Sequence, residues 1–216
     1  MPTRAPSTHR PVQPHRAKGG PWAWRGVDFF VAAVFAVAMG VVFIAWDYLL
    51  NTPWTVLTLA FPPAASLALG VWLLPAVAGG LIVRRPGAAL FVELIAAALE
   101  YLMGNPWGPG VLLSAVLQGV GAELGFALVG WRRFGRGTSM LAGTLAATVE
   151  IVVYEWWSYA AGYSWDWKLA VLGFSVLSGG LLAGLGGHAL VRALATTGAL
   201  SAFPPGAEAL HEAELP

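Results

Sequence analysis

The strongest constraint on the fold of this chain is a series of six long apolar segments separated by short breaks. A helix of about 20 apolar residues spans the hydrocarbon core of a bilayer. Hydrophobic residues make up 57% of the sequence and charged residues only 11%, whereas a soluble domain carries roughly 25% charge. Too little polar surface is available to cover a soluble globule. The sequence therefore predicts an all-α integral membrane protein.

Six transmembrane helices are predicted in a compact bundle over residues 25–195, and they cover residues 27–50, 64–83, 87–103, 109–131, 139–161 and 167–194. The Pro- and Arg-rich residues 1–24 are predicted to form a disordered cytoplasmic tail, and the small, polar and acidic residues 196–216 a flexible one. Residues 51–63 are apolar but are interrupted by prolines at 53, 62 and 63. We interpret this stretch as a loop or short interfacial helix, with a short re-entrant segment as the alternative.

The positive charges give the orientation of the predicted bundle. If the N-terminus is inside, all of the twelve lysines and arginines except Lys168 lie in cytoplasmic tails, in cytoplasmic loops or at the cytoplasmic end of the last helix. Cytoplasmic loops of membrane proteins carry such an excess of Lys and Arg. The distribution therefore supports six spans with both termini in the cytoplasm.

Polar side chains within the predicted spans have one sign of charge. The acids are Asp47, Glu93, Glu100, Glu123, Glu150 and Glu155, accompanied by the neutral Asn105 and Gln118. No Lys or Arg is predicted in the middle of a span to pair with them. Ionisable groups inside a membrane usually mark a functional cavity. A protonated, purely structural carboxyl between helices is the alternative for Glu123 and Glu150, and Asp47 is also compatible with the water interface.

Aromatic side chains crowd the predicted outer side of the bundle. An interfacial aromatic belt is one interpretation of this crowding. The other is an outward-facing pocket, because a belt alone should be less one-sided. The inner side has only Trp22, Trp24 and Trp131, whereas the outer side has many more aromatic residues, among them Trp107, Tyr159 and Tyr163. Glu150, Tyr154 and Trp157 also recur at helical spacing and share one helix face. Ring faces and carboxylates suit a flat, aromatic ligand that donates hydrogen bonds or carries positive charge.

Small residues at four-residue spacing mark the first helix, where Ala32, Ala36 and Gly40 form a stripe. Such stripes let membrane helices approach closely. The partner of this stripe is either another subunit or a helix of the same chain. The sequence also has no cysteine, scattered histidines and no phosphate-binding loop, so we expect no metal site and no ATP hydrolysis by this chain.

The central part of the sequence resembles a known family. The motif begins with Arg84-Arg85-Pro86-Gly87-Ala88-Ala89-Leu90, continues with Glu93, Glu100 and Gly104-Asn105-Pro106, and ends with Gly108-Pro109, Gln118-Gly119 and Gly121-Ala122-Glu123. Over residues 84–123 it is similar to the YkoE-type substrate-binding (S) component of energy-coupling factor (ECF) transporters. The six-span layout over residues 25–195 agrees. That group is linked to the uptake of hydroxymethylpyrimidine and thiamine in bacteria.

The resemblance implies a subunit of an ECF-type ABC importer in the bacterial cytoplasmic membrane. It would capture thiamine or its hydroxymethylpyrimidine precursor from outside. Its partners would be a membrane coupling subunit, which Ala32 and Ala36 would face, and two cytoplasmic ATPases that hydrolyse ATP. No cofactor and no enzymatic reaction are expected in this chain, and residues 51–63 would act as a lid.

Candidate binding residues follow from the pocket and the resemblance together. Glu100 and Asn105 are expected to contact the aminopyrimidine edge, with Glu93, Gln118 and Glu123 continuing the polar pocket inward. Tyr154 and Trp157 are expected to stack on the ligand, and Asp47 and Glu155 to face a cationic ring. A proton-coupled transporter of aromatic cations is the alternative function, because lone membrane carboxylates also serve that role. No nucleophile–base pair or metal cluster supports an intramembrane enzyme.

Overall fold

The computed structural model describes residue 20 and residues 22–214, and all of its regular elements are helical. The α-helices are α1 (Gly26–Ala45), α2 (Thr52–Leu57), α3 (Gly70–Val83), α4 (Ala88–Leu102), α5 (Gly110–Leu128), α6 (Arg136–Val153), α7 (Trp165–Ser178), α8 (Gly187–Thr196) and α9 (Pro204–Ala213). π-Helical turns at Trp46–Asn51 and Gly179–Gly186 join α1 to α2 and α7 to α8, while 3₁₀ segments precede α3 (Pro62–Ala68) and follow α6 (Glu155–Trp157). Most of the predicted N-terminal tail lies outside the described residues.

Five helical segments in the described part are long and apolar enough to cross a membrane, namely Gly26–Leu49, Pro62–Val83, Gly110–Leu128, Arg136–Trp157 and Trp165–Thr196. They correspond to five of the six predicted spans. The remaining predicted span, residues 87–103, forms α4, which has only 15 residues and is therefore about 22 Å long. Turns at both ends limit its length, because Gly87 and Gly104 adopt positive φ angles of 88°. Pro86 directly precedes the first turn, and Pro106 follows the second two residues after Gly104.

The small-residue stripe of α1 packs inside the bundle. Ala32 and Ala36 are at most 1% exposed, and a Cβ atom on Gly40 would lie 2.8 Å from the Ala96 carbonyl oxygen of α4. The partner of Ala32, Ala36 and Gly40 is thus a helix of the same chain. This corrects the predicted interface with another subunit, since small residues permit a close approach whichever helix is packed against them.

The C-terminal region differs from the predicted flexible tail. Residues 204–213 form α9, and the preceding Leu200 and Phe203 are only 3% and 2% exposed. Glu208 of α9 binds Arg84 at the end of α3 with N–O distances of 2.5 and 2.8 Å. The mostly small and polar composition of residues 196–216 gives no signal of this docking. The buried side chains of Leu200 and Phe203 and the ion pairs of Glu208 and Glu212 attach the short helix to the bundle.

Positive charges gather at the end of the bundle where α1, α4 and α6 begin, which we call the arginine end. Arg84 and Arg85 lie in the α3–α4 turn, Arg136 begins α6, and Arg25 precedes α1. Arg85 is 1% exposed and donates to Asp28 of α1 over 2.9 Å. Such a buried pair ties α1 to the α3–α4 turn, since either charge alone would be costly to bury. Lys168 is the only Lys or Arg of the described residues at the opposite end.

Candidate functional site

A cavity of about 270 Å³ opens at the end of the bundle opposite the arginine end. Helices α3, α5, α6 and α7 surround it, together with residues 55–69 and the loop after α6. Its floor is formed by Ser114, Gln118 and Glu150, its walls by Trp72, Trp107 and Tyr163, and its mouth by Thr55, Glu155 and Tyr159. The half-exposed Tyr159 and the exposed Thr55 show that the cavity reaches the surface at this end.

The floor presents a carboxyl group with one open oxygen. Glu150 near the end of α6 is 1% exposed, and its Oε1 accepts a hydrogen bond of 3.1 Å from the Ser114 hydroxyl of α5. The Gln118 amide lies beside it, one helical turn from Ser114. The other carboxyl oxygen of Glu150, Oε2, has no hydrogen-bond partner among the described residues. A buried acceptor without a partner is unfavourable unless a ligand or water supplies a donor.

Close packing of α5 against α6 brings this floor together. A Cβ atom on Gly121 would lie 2.5 Å from the Leu145 carbonyl oxygen, and one on Gly125 would collide with Ala142. Glycine at these positions allows the two backbones to approach each other closely. Ser114 can therefore reach the Glu150 side chain of the neighbouring helix.

The walls consist of aromatic rings packed edge to face. The Trp107 ring lies 6.0 Å from that of Trp72 at an interplanar angle of 85°, and 6.1 Å from that of Tyr159 at 74°. The Trp107 indole also donates a hydrogen bond of 3.0 Å to Oδ1 of Asp47. Because the indole is held at both its ring and its N–H group, its orientation in the wall is fixed before any ligand arrives.

The mouth is shaped by the loop that follows α6. Glu155 begins the 3₁₀ segment, and its backbone carbonyl accepts a hydrogen bond of 2.9 Å from Ala160. The ring of Tyr163 packs edge to face on that of Trp167 at 5.2 Å. Partial burial raises the pKa of Tyr159 above its usual value, so its hydroxyl remains a neutral donor at physiological pH.

Two of the predicted site residues, Gln118 and Glu155, line the cavity. Tyr154 lies behind the wall, where its ring packs edge to face on Tyr159 at 5.9 Å. It supports a cavity residue instead of lining the cavity itself.

Asp47 and Glu100 lie on the far side of the tryptophans from the cavity. Glu100 is fully buried, and its carboxyl faces Asp47 and the Trp72 indole. Neither carboxyl lines the cavity. Asp47 accepts a hydrogen bond from the Trp107 indole, whereas neither carboxyl oxygen of Glu100 has a hydrogen-bond partner among the described residues. Direct contact of either acid with a ligand stays a prediction.

Glu93 and Glu123 bind backbone N–H groups of neighbouring helices. Oε2 of Glu93 accepts a hydrogen bond of 2.8 Å from Ala76, directly after Pro75 in the interior of α3. Oε1 of Glu123 accepts one of 2.7 Å from Ala89, at the beginning of α4 and at the arginine end. The first N–H groups of a helix, such as that of Ala89, have no acceptor within the helix. Both acids lie outside the cavity, and the inward extension of the pocket predicted for them is not present.

Asn105 and Trp157 occupy positions outside the cavity as well. Oδ1 of Asn105 accepts hydrogen bonds from the backbone N–H groups of Trp107 at 3.0 Å and Gly108 at 2.7 Å, which shapes the loop that presents Trp107. Trp157 is 61% exposed, and its indole donates to the Val152 carbonyl oxygen. Helix α6 ends at Val153, so the helical spacing from Glu150 does not extend to Trp157.

Sequence reasoning identified Glu150 as a buried acid but did not include it in the candidate site. It also missed Ser114 and Trp72, and assigned Trp107, Tyr159 and Tyr163 only to the outer aromatic group. The signal available in the sequence was the pair Ser114 and Gln118, which are four residues apart and share a face of α5. No three His, Cys, Asp or Glu side chains within the described residues are grouped so that they could hold a metal ion.

Comparisons with known proteins agree on a transport function. Residues 27–149 match the family described as the permease component of an ABC-type cobalt transport system. The chain is 35% identical over 188 residues to the putative HMP/thiamine permease protein YkoE of Bacillus subtilis (strain 168), covering 86% of this chain and 92% of that protein. It is also similar to a crystal structure of an S-component of an ECF transporter, with a TM-score of 0.81 and 32% identity, covering 89% of this chain and 96% of that one.

Proposed function

Since this chain is a multi-pass membrane protein that belongs to the family of YkoE and the ECF transporter S-components, we propose that it is the substrate-binding subunit of an ECF-type ABC importer. Its ligand is thiamine or hydroxymethylpyrimidine, the thiamine precursor abbreviated HMP. The relatives are named as a putative HMP/thiamine permease and an S-component. A transport role for the chain follows from the family, and the choice of ligand is our proposal.

The observation that carries the ligand proposal is the open Oε2 of Glu150 at the floor of an aromatic cavity. An aminopyrimidine is flat, and its amino group is a hydrogen-bond donor that matches a carboxyl acceptor. Trp72 and Trp107 provide apolar ring surface against which such a ring can pack. The family description names cobalt, but the described residues contain no group of three His, Cys, Asp or Glu side chains that could hold a metal ion.

For the membrane topology, we propose six spans with both termini in the cytoplasm. The short helix α4 is then the third span, and the arginine end faces the cytoplasm. Lys168 alone of the described Lys and Arg residues lies at the opposite end, a bias expected when the arginine end is inside. The cavity accordingly opens to the outside of the bacterial cytoplasmic membrane.

The partners in this proposal are a membrane coupling subunit and two cytoplasmic ATPases. Import needs an energy source, and we assign ATP hydrolysis to the partner subunits and no catalytic reaction or cofactor to this chain. Ala32 and Ala36 are buried, so the surface that meets the coupling subunit must be another one.

The proposal is tested by calorimetric titration of the purified protein with thiamine and with HMP. Glu150→Gln replaces one carboxyl oxygen by an NH₂ group and should weaken the binding of both ligands by about tenfold or more, equivalent to about 1.4 kcal/mol. The matched control is Glu212→Gln, at an exposed ion pair with Arg192 in the described part of the chain. Absence of binding of either ligand to folded wild-type protein would contradict the proposal.

The buried acids Asp47 and Glu100 favour a second candidate, a proton-coupled transporter of aromatic cations. The two functions differ in their energy source. Uptake into liposomes by this chain alone, driven by a proton gradient, would support the second candidate. Uptake that requires the ATPase partners would support the importer.

A further inference from the structure

The cavity contains two carboxyl groups, Glu150 at its floor and Glu155 at its mouth. Because they lie at different depths, they can select for the orientation and the charge of a ligand. We propose that the ligand binds with its aminopyrimidine at the Glu150 floor and its cationic ring, where it has one, at Glu155 in the mouth, and that phosphorylated ligands are excluded. This inference rests on the proposed function, because it assumes a ligand of the thiamine class.

The depth of each acid follows from its position on the helices. Gln118 lies eight residues into α5, which begins at Gly110, and hence about 12 Å from the helix start. Glu150 lies in the last turn of α6, opposite Ser114, whereas Glu155 follows the end of that helix in the 3₁₀ segment. A ligand that enters through the mouth therefore passes Glu155 before its leading edge reaches Glu150.

The floor offers an acceptor for an amino group. Ser114 already donates to Oε1 of Glu150, and Oε2 is left for one further donor. The Gln118 side chain, 6% exposed, provides a second polar group on the same floor. An aminopyrimidine presents an amino donor next to a ring nitrogen, which matches a carboxyl and an amide side by side.

The mouth is suited to a cationic ring. Glu155 and Tyr159 lie there, and the rings of Tyr163 and Trp107 belong to the walls of the same cavity. A positive charge gains from a nearby carboxylate and from the faces of aromatic rings. Thiamine carries a positively charged thiazolium, whereas HMP has no second ring. Glu155 should therefore contribute to the binding of thiamine and contribute little to that of HMP.

A phosphate group has no positive partner in the cavity. None of the described residues that line it is a Lys, Arg or His. Lys168, the nearest candidate in sequence, has its ammonium group 5.0 Å from the Trp157 ring and 5.3 Å from the Trp165 ring, outside the lining. Thiamine phosphates carry their phosphate on the thiazolium side chain, so in the proposed orientation it would meet Glu155 with like charge.

The experiment compares thiamine, HMP and thiamine monophosphate by calorimetric titration of the full chain in detergent. For the wild type, we expect thiamine monophosphate to bind at least about tenfold more weakly than thiamine. This comparison needs no variant and so does not depend on the folding of one. Equal affinities for thiamine and its monophosphate would overturn the proposal.

The variant Glu155→Gln separates the two ends of the ligand. We expect it to weaken the binding of thiamine by about five- to tenfold and to change the affinity for HMP by less than about twofold. The difference in affinity between thiamine and its monophosphate should become smaller. Glu212→Gln serves as the matched control and should change none of the three. If Glu155→Gln lowered the affinities for thiamine and for HMP equally, the proposed orientation would be overturned while the proposed function stayed in place. If neither ligand binds the folded wild type, the proposed function fails, and the orientation fails with it.

Discussion

The Ser114 hydroxyl of α5 donates a hydrogen bond of 3.1 Å to Oε1 of Glu150 on α6. This contact leaves Oε2 of the same carboxyl without a partner in the described part of the chain, at the floor of the cavity. Ser114 thereby determines which oxygen a ligand can reach. The close α5–α6 packing at Gly121 and Gly125 is what places the two side chains within hydrogen-bond distance.

We expect Ser114→Ala to weaken ligand binding about three- to tenfold, because the Glu150 carboxyl loses a hydrogen bond that contributes about 1 kcal/mol and can rotate away from the cavity. Calorimetric titration with HMP measures the effect. The matched control is Ser139→Ala, whose hydroxyl donates to the Gly135 carbonyl oxygen near the arginine end. An unchanged affinity in Ser114→Ala would show that Glu150 does not depend on this contact.

Trp107→Phe keeps an aromatic ring in the wall but removes the indole N–H group. Asp47 is 1% exposed and would lose the donor that lies 3.0 Å from its Oδ1. We expect lower thermal stability, corresponding to about 1–3 kcal/mol for a buried acceptor without its donor, together with weaker ligand binding. Thermal unfolding and titration of the same sample measure both effects.

The double variant Asp47→Leu/Trp107→Phe tests the cause of that loss of stability. It removes the acceptor as well as the donor, and it should recover part of the stability lost in Trp107→Phe. A double variant that is less stable than Trp107→Phe by the full effect of Asp47→Leu would contradict the coupling.

Glu93→Ala is expected to destabilise the fold without a selective effect on ligand contacts. Its carboxyl accepts the Ala76 N–H group after Pro75, and both groups are buried. Loss of the acceptor should lower the free energy of unfolding by about 1–3 kcal/mol, whereas Glu93→Gln retains a side-chain oxygen and should be milder. Chemical denaturation in detergent measures the difference. Equal destabilisation by both variants would argue against a stabilising hydrogen bond from the Ala76 N–H group to Glu93.

The sequence was sufficient to predict the membrane class, the helical fold and most of the helix positions. Apolar length and Pro or Gly breaks are local properties, and they place five of the long helical segments directly. It was also sufficient to single out Gln118 and Glu155, because a polar residue in an apolar span is conspicuous without knowledge of its neighbours.

The positions of the other acids depend on contacts between helices, which the spacing of residues does not contain. Glu100 and Glu93 share one face of α4, yet Glu100 lies behind two indoles and Glu93 binds the backbone of α3. Which groups of the neighbouring helices face each turn of α4 decides between these environments. Similarly, the α1 stripe of Ala32 and Ala36 shows only that something packs closely there, and not which helix does so.

The short helix α9 carries two ion pairs that differ in burial, and they provide an internal comparison. Glu208 binds Arg84, whose side chain is 4% exposed and also lies 4.9 Å from the Phe134 ring. Glu212 binds Arg192, and in this pair the two side chains are 49% and 58% exposed. A buried pair is shielded from water and salt, whereas an exposed one contributes about 0–1 kcal/mol.

We therefore expect Glu208→Gln to release α9 from the bundle and Glu212→Gln to leave it docked. The glutamine amide keeps one oxygen that can accept from Arg84. The substitution removes the negative charge and one of the two charge-assisted hydrogen bonds, a bond that contributes about 1.5–3 kcal/mol, and leaves a buried guanidinium with less compensation. In Glu208→Gln, the rate of hydrogen exchange of residues 204–213 and the rate of proteolytic cleavage within residues 198–213 should both increase. Equal protection of α9 in the two variants would mean that Leu200 and Phe203, which are almost fully buried, are sufficient to hold the helix without the ion pair.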